Sequence, residues 1–276
     1  MDVFEKIENF QGFLENATDT SQKMIVKEDE YVNSLLLMGN PVAIVVVVGA
    51  YLIFVLRVGP QLMANRKPMD LTYTMIAYNL LQVVLNTYLV LKLIRHKTAM
   101  DYLFNHTCQP LEKQSNPLRL EMCSAYWQYL AMKILDLADT IFIVLRKKQG
   151  NASFLHIYHH ASMVFLTWFW FKYMREEQFV VLGALNLLVH SFMYSYYLAS
   201  SFGPKVKAFL WWKRYVTWIQ MVQFCLGIGY LILLVVRGCR IACGSALFWA
   251  TNLLFFLVLF SNFYLNTYKK NKRKTI

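Results

Sequence analysis

Three histidines lie close together at 156–160, in the pattern HxxHH. His156, His159 and His160 fall within an arc of about 100° on a helix, because successive helical residues turn by about 100°. The surrounding stretch, 154–171, is apolar and long enough to cross a bilayer. Ionisable side chains inside a membrane face a bundle interior or a cavity and usually mark function. The motif predicts a reaction site within a membrane, rather than three histidines that only hydrogen-bond between helices.

A second polar face combines Lys133, Asp136, Asp139 and Thr140, which share an arc of about 120° of one helix. A charge at the bilayer centre costs about 2.5–3.5 kcal/mol, so these groups must be paired, hydrated or near the interface. A purely structural Lys–Asp pair is the alternative to a functional cluster.

Two further segments carry polar residues every three to four positions. They comprise Asn186, His190, Tyr194 and Tyr197 in one segment, and Thr217, Gln220 and Gln223 in the next. Tyr194 taken alone predicts a packing residue, whereas Asn186 together with His190 favours function. Four helices therefore present polar faces that could line one cavity, which would suit a substrate with an anionic head and an apolar tail.

The composition indicates an all-α membrane protein: of 276 residues 57% are hydrophobic and 16% charged, and the mean hydropathy is +0.37. Seven segments are long enough to span, at 32–56, 71–91, 122–145, 154–171, 179–202, 215–236 and 241–268. We expect a lumenal segment at 1–31, a catalytic membrane domain at 32–268 and a basic tail at 269–276. No cleavable signal peptide is predicted, because the N-terminal residues are acidic and polar.

The net charge of +12 is distributed unevenly between the loops. With seven spans, one side carries fifteen Lys and Arg against Asp70 alone, while the other carries twelve against thirteen acidic residues. The positive-inside rule makes the first side cytosolic, together with the C-terminus. The charge is thus an orientation signal, and no nucleic-acid partner is expected. The tail 272–276 fits the KxKxx retrieval pattern and predicts the endoplasmic reticulum membrane.

Three of the five cysteines, Cys108, Cys239 and Cys243, lie in loops assigned to the lumen. The lumen permits disulfides, so a bridge from Cys108 to Cys239 or to Cys243 is expected. Cys123 and Cys225 fall within spans and are predicted to be ordinary packing residues.

Three classes of membrane protein are weighed against these patterns. A di-iron desaturase or hydroxylase needs about eight histidine ligands, and the chain has six, of which four lie near the expected cavity. Metal-free acyl transfer needs only an imidazole that attacks a thioester and a neighbour that fixes its tautomer. A seven-span receptor or lipid transporter leaves the polar faces unexplained.

Over nearly the whole chain the residues resemble the very-long-chain fatty-acid elongases, the condensing enzymes of microsomal elongation. The resemblance is carried by NRKP at 65–68, KxxDxxDT at 133–140, LRKK at 145–148, HxxHH at 156–160, HxxMYxYY at 190–197 and TxxQxxQ at 217–223. Asp136 departs from the family pattern, which usually has Glu there.

The resemblance implies seven spans, six of which (spans 2–7) enclose an acyl tunnel. It implies that a long-chain acyl-CoA condenses with malonyl-CoA to give 3-oxoacyl-CoA, carbon dioxide and CoA. His159 would be the nucleophile and His190 would face it. The other residues expected to position the imidazoles or stabilise the enolate are His156, His160, Asp136, Asp139, Asn186, Gln220 and Gln223.

The CoA thioesters would be substrates, with no permanently bound cofactor and no metal. The matching positions for the coenzyme, at the cytosolic mouth, are Lys133, Arg146, Lys148, Asn151, Tyr196, Lys213 and Thr217. The resemblance favours Cys239 as the partner of Cys108. It also implies membrane lipids and the reductase, dehydratase and enoyl reductase of the elongation cycle as partners, and leaves a homo-oligomer open.

Overall fold

The computed structural model describes residues 30–106, 108, 117–148, 153–203, 205–206, 210–239 and 243–269. All regular structure within these ranges is helical. The α-helices are α1 (Glu30–Ser34), α2 (Pro41–Ile53), α3 (Gly59–Ala64), α4 (Thr72–Arg95), α5 (Lys97–Asp101), α6 (Pro117–Leu145), α7 (Phe154–Tyr173), α8 (Val180–Ser201), α9 (Lys213–Val236) and α10 (Cys243–Tyr264). Short π-helical segments follow α2, α5 and α10, at Phe54–Val58, Tyr102–His106 and Leu265–Lys269.

The first predicted span, 32–56, has the wrong bounds. Asn40 caps α2 by accepting the Val42 N–H at 2.8 Å, and Pro41 occupies the first turn, where its missing N–H costs nothing. The helix then continues through the π-helical segment into α3, so that the apolar stretch runs from Pro41 to Ala64. Within the described residues, the physical start of the span is therefore set by a cap rather than by hydrophobicity.

Five helical stretches of the described chain are long and apolar enough to cross a membrane. They are Pro41–Ala64, Thr72–Arg95, Glu177–Ser201, Lys213–Val236 and Gly244–Thr267. Helices α6 and α7 have 29 and 20 residues but carry the Lys–Asp cluster and the histidines, which lower their apolarity. The protein is thus an all-α, multi-pass membrane protein, and five of the seven predicted spans meet this criterion.

Six helices close into a ring. Going round it, α4 contacts α8, α8 contacts α9, α9 contacts α10, α10 contacts α7, α7 contacts α6, and α6 returns to α4. Helix α2 packs on the outside against α7, and α3 packs against α6. A Cβ on Gly59 would lie 2.7 Å from Val144 Cγ1, so glycine is what lets the start of α3 approach α6 so closely.

The two ends of the ring differ in chemistry. At one, the Met69 N–H donates to the Leu145 carbonyl at 3.1 Å, which brings the start of α4 beside the end of α6 and its basic residues. There the hydroxyl and amide of Thr72 donate to Asp70 and hold the pKa of its carboxyl below the usual range. We call this the basic end.

The opposite end, which we call the disulfide end, is cross-linked. Cys108 and Cys239 form a disulfide across 131 positions of sequence. This is the pair favoured by the resemblance. Nearby in the ring, Arg119 and Glu177 form a buried ion pair with 2.6 Å between Nη1 and Oε1. These covalent and ionic links join helices that are far apart in sequence.

Candidate active site

The histidine motif lies in the first two turns of α7. Ser153 caps this helix by accepting the His156 N–H at 3.3 Å. The rings of His156 and His160 are 4.4 Å apart, and those of His159 and His160 are 5.5 Å apart. His159 also contacts Phe256 of α10 at 5.0 Å. The spacing therefore brings the three imidazoles to one side of α7, as predicted.

Lys133 and Asp136, about one turn apart on α6, form an ion pair. Both are only 2% exposed, and Lys133 Nζ lies 2.9 Å from Asp136 Oδ2. Lys133 also donates to Asn186 Oδ1 of α8 at 2.8 Å and lies over the ring of Tyr129 at 5.0 Å. Each buried charge is thus paired and hydrogen-bonded, which offsets its desolvation. Lys133 thus lies inside the bundle with two of its three donors engaged.

The second histidine-bearing helix, α8, completes this cluster. His190 Nδ1 lies 3.5 Å from Asp136 Oδ2, which is longer than a hydrogen bond. Tyr194 donates its hydroxyl to Asp139 Oδ2 at 2.7 Å or to Asp136 Oδ1 at 3.0 Å. Tyr194 is a fully buried core residue, as predicted, and its hydroxyl in addition reaches both carboxylates.

Helix α4 contributes residues that the sequence analysis missed. Gln82 donates to Asp136 Oδ1 at 2.9 Å, and Asn86 donates to Gln82 Oε1 at 3.1 Å. The Tyr78 hydroxyl accepts from Gln82 at 2.9 Å. The available signal was an amide or phenol at every fourth position of an otherwise apolar helix, at 78, 82 and 86.

The ring surrounds an apolar cavity that is partly open to solvent. Its empty space, including the part open to solvent, is about 1420 Å³. All six helices line it, represented in ring order by Leu89, Asn186, Gln223, Phe256, His159 and Tyr129. On α7 the lining runs from His159 to Phe171, which corresponds to about 18 Å of helix rise. His159 therefore lies toward the basic end of a long apolar cavity, on its wall.

The remaining residues of the predicted polar faces lie in different places. Thr140 is fully buried and shares a 2.7 Å hydrogen bond with Tyr51 of α2. Gln223 lines the cavity, whereas Gln220 donates to Met193 Sδ at 3.3 Å. Among the described residues, no three His, Cys, Asp or Glu side chains converge on a common metal position.

Of the residues predicted to hold the coenzyme, Lys133 lies in the interior cluster, and the other described ones lie toward the basic end. Arg146 and Lys148 follow the end of α6, and Lys213 opens α9. Lys148 and Lys213 are exposed, whereas Tyr196 and Thr217 are buried. Asn151 lies outside the described residues.

Comparison with known proteins identifies the family of this chain. The model of the GNS1/SUR4 family (ELO) matches residues 36–276. A very long chain fatty acid elongase of Aedes aegypti is 36% identical over 86% of this chain and 66% of its own length. Human very long chain fatty acid elongase 4 is 34% identical over 89% of this chain and 77% of its own, and mouse elongase 1 is 32% identical over 94% and 93%. By these matches, which cover most of its length, the chain belongs to the ELO family of very-long-chain fatty-acid elongases.

Proposed function

We propose that this protein catalyses the condensation of a long-chain acyl-CoA with malonyl-CoA, giving 3-oxoacyl-CoA, carbon dioxide and CoA. The observation that carries the proposal is the position of His159 on the wall of an apolar cavity, near the buried cluster built on Asp136. An apolar cavity suits an acyl chain, and an imidazole near its end suits attack on a thioester. Relatives named as fatty acid elongases support the same class of reaction.

In the first step, an unprotonated nitrogen of His159 attacks the thioester carbonyl of the acyl-CoA. The carbon–sulfur bond breaks, the acyl group forms a bond to the imidazole nitrogen, and the departing thiolate takes the proton that the ring loses. The His160 ring packs against the His159 ring, and the His156 ring packs against that of His160. These two neighbours would fix the orientation of the His159 imidazole. The acyl chain would occupy the cavity, which makes that cavity an acyl tunnel.

In the second step, malonyl-CoA loses carbon dioxide, and the electron pair left behind forms an enolate. The enolate carbon attacks the acyl carbon, the bond to His159 breaks, and the departing imidazole nitrogen takes up one proton, which comes from water. Polar groups aimed at the developing charge lower such a barrier. We assign this task to the Asn186 amide and the His190 imidazole, which can donate hydrogen bonds to an anion. Asp139 and Asp136 would position these groups, and Gln220 and Gln223 are further members of the site.

The basic end would bind the two CoA thioesters. Arg146, Lys148 and Lys213 would supply charge-assisted hydrogen bonds to phosphates, and Asn151, Tyr196 and Thr217 would line the mouth. Lys133 belongs instead to the interior cluster, since it is 2% exposed. No permanently bound cofactor enters this scheme.

We further propose that α6 and α7 also cross the bilayer, which gives seven spans with the basic end in the cytosol. The unequal charge of the loops supports this orientation. An enzyme of this kind would work in the endoplasmic reticulum membrane with a 3-oxoacyl-CoA reductase, a dehydratase and an enoyl reductase. The retrieval pattern at 272–276 lies outside the described residues.

The proposal is tested with the purified protein, malonyl-CoA and a ladder of saturated acyl-CoAs, with products read by mass spectrometry. We expect 3-oxoacyl-CoA and carbon dioxide in equal amounts. With acyl-CoA alone, we expect release of free CoA and a protein adduct of one acyl mass on His159. Absence of 3-oxoacyl-CoA from wild-type protein would overturn the proposal.

A matched pair of α7 variants locates the nucleophile. His159→Ala removes the imidazole on the cavity wall and should abolish both product and adduct. Phe165→Ala removes a comparable ring from the same helix, but its side chain is 41% exposed on the outer face, so activity should persist. An adduct that survives in His159→Ala would assign the acyl group to another residue.

A further inference from the structure

Helix α4 places a line of three buried polar side chains in the bundle, and none of the three is charged. Tyr78 is 7% exposed, and Gln82 and Asn86 are fully buried. They lie four residues apart, so they form one line along the inner face of the helix. Burying two amides costs free energy that apolar side chains would not cost, so this line calls for an explanation beyond packing.

The hydrogen bonds along the line have a single direction. An ionised carboxylate only accepts, so the Gln82 amide must turn its nitrogen toward Asp136, as it does at 2.9 Å. Its oxygen then needs a donor and receives the Asn86 amide at 3.1 Å. Asn86 is itself fixed by a 2.7 Å bond to the Gln82 backbone carbonyl. The order Asn86 to Gln82 to Asp136 is therefore determined by chemistry.

The same contacts divide the two oxygens of Asp136. Oδ1 accepts from Gln82 and from Tyr194, while Oδ2 faces Lys133 at 2.9 Å and His190 at 3.5 Å. Gln82, Tyr194 and Lys133 thus donate to this carboxylate, while Oδ2 faces His190 from beyond hydrogen-bond distance. Without the Gln82 amide, the carboxylate could rotate about its bond to the chain, and Oδ2 would no longer be held toward His190.

We infer that Gln82 and Asn86 form a positioning relay that fixes the carboxylate of Asp136 against Lys133 and His190. The relay rests on the proposed function, since it acts by orienting residues that we assign to the condensation. Gln82 and Asn86 touch no substrate in this scheme. They are positioning residues. Helix α4 thus sets the geometry of a site whose ionisable groups lie on two other helices of the ring, α6 and α8.

The test uses two relay variants and one matched control on the same helix. Gln82→Leu removes the amide that reaches Asp136, and Asn86→Leu has a similar volume to Asn86 but no donor to Gln82. Asn79→Leu is the control, because Asn79 is 2% exposed on α4 but donates to Ser201 at 3.3 Å, away from both carboxylates. Each variant is assayed for kcat, for KM of both CoA thioesters and for thermal unfolding.

We expect Gln82→Leu to lower kcat per folded enzyme by roughly tenfold to a hundredfold, as for a lost hydrogen bond to a charged group. Asn86→Leu should lower kcat by a smaller factor, and both KM values should change less than about threefold. The double variant Gln82→Leu with Asn86→Leu should be no slower than Gln82→Leu, because both act through one contact. Asn79→Leu should change unfolding alone.

Relay variants that fold and keep kcat within about twofold of wild type would overturn the inference. So would failure of both relay variants to fold while Asn79→Leu folds, since the line would then be a folding feature. Wild-type protein without condensing activity would count against the proposed function instead, so the two failures can be told apart.

Discussion

Tyr194 shows at the residue scale how one hydroxyl couples two acidic groups. Its ring is fully buried and contacts Tyr78 and Tyr197, each with 6.0 Å between ring centroids, while its hydroxyl lies within 3.0 Å of both Asp139 and Asp136. Two carboxylates this close repel each other unless a donor lies between them. The hydroxyl is therefore expected to matter for chemistry and the ring for packing.

We predict that Tyr194→Phe lowers kcat by about tenfold to a hundredfold, because a hydrogen bond to a carboxylate is lost while the ring remains. The unfolding temperature should change little. Steady-state kinetics and thermal unfolding of the detergent-solubilised protein measure both. Tyr88→Phe is the control, because Tyr88 is 57% exposed on α4. Equal kcat for the two variants would show that the hydroxyl has no part in the reaction.

At the scale of elements, the disulfide joins the segment after α5 to the segment before α10. The bond spans 131 positions, and closure of a loop this long stabilises the folded state by on the order of 4–5 kcal/mol in the chain-entropy model. A membrane already restrains the unfolded chain, so the measured effect should be smaller. The bond lies at the end of the ring opposite the basic residues, which places it away from the proposed chemistry.

We predict that Cys108→Ser lowers the unfolding temperature but leaves kcat within about threefold of wild type at low temperature. Non-reducing peptide mapping of the wild type should give one Cys108–Cys239 peptide pair. Cys225→Ser is the control, since Cys225 is a free and exposed thiol, and it should unfold like wild type. A free Cys108 in material from oxidising conditions would contradict the prediction.

The whole molecule is polarised, with one end basic and the other cross-linked. Apolar side chains cover much of the outer surface of α9 and α10, as expected for helices that face lipid. The charges of the loops then decide which end faces the cytosol. Orientation is a property of the complete chain, because no single helix fixes it.

We predict that Lys148→Cys, in a Cys225→Ser background, reacts with a membrane-impermeant maleimide added outside sealed microsomes. Lys97→Cys should react only after the membrane is permeabilised, because Lys97 starts α5 near the disulfide end. Both lysines are exposed on the protein. Any difference in labelling between the two cysteine variants therefore reports the side of the membrane on which each lies. Labelling in the reverse order would invert the topology.

The local features of this protein follow from the sequence because they depend on neighbours a few positions away. Helix type, the single face of the HxxHH motif and the Lys133–Asp136 pair all arise from 3.6 residues per turn. The cost of charge in a membrane left the Lys133 ammonium to be paired, hydrated or near the interface, and the structure shows it paired. The cap at Asn40, by contrast, shifted the first span because a hydrophobic pattern does not mark where a helix begins.

The tertiary structure alone decided which faces meet. The place of α4 beside α6 and α8 brings Gln82 to Asp136 over 54 positions of sequence, and no local pattern encodes that distance. Two loop cysteines were equivalent partners for Cys108 by residue type, and the packing of the ring ends selected Cys239. Helix periodicity fixes the direction of a side chain on its own helix, whereas its partner depends on the order in which six helices pack around one cavity.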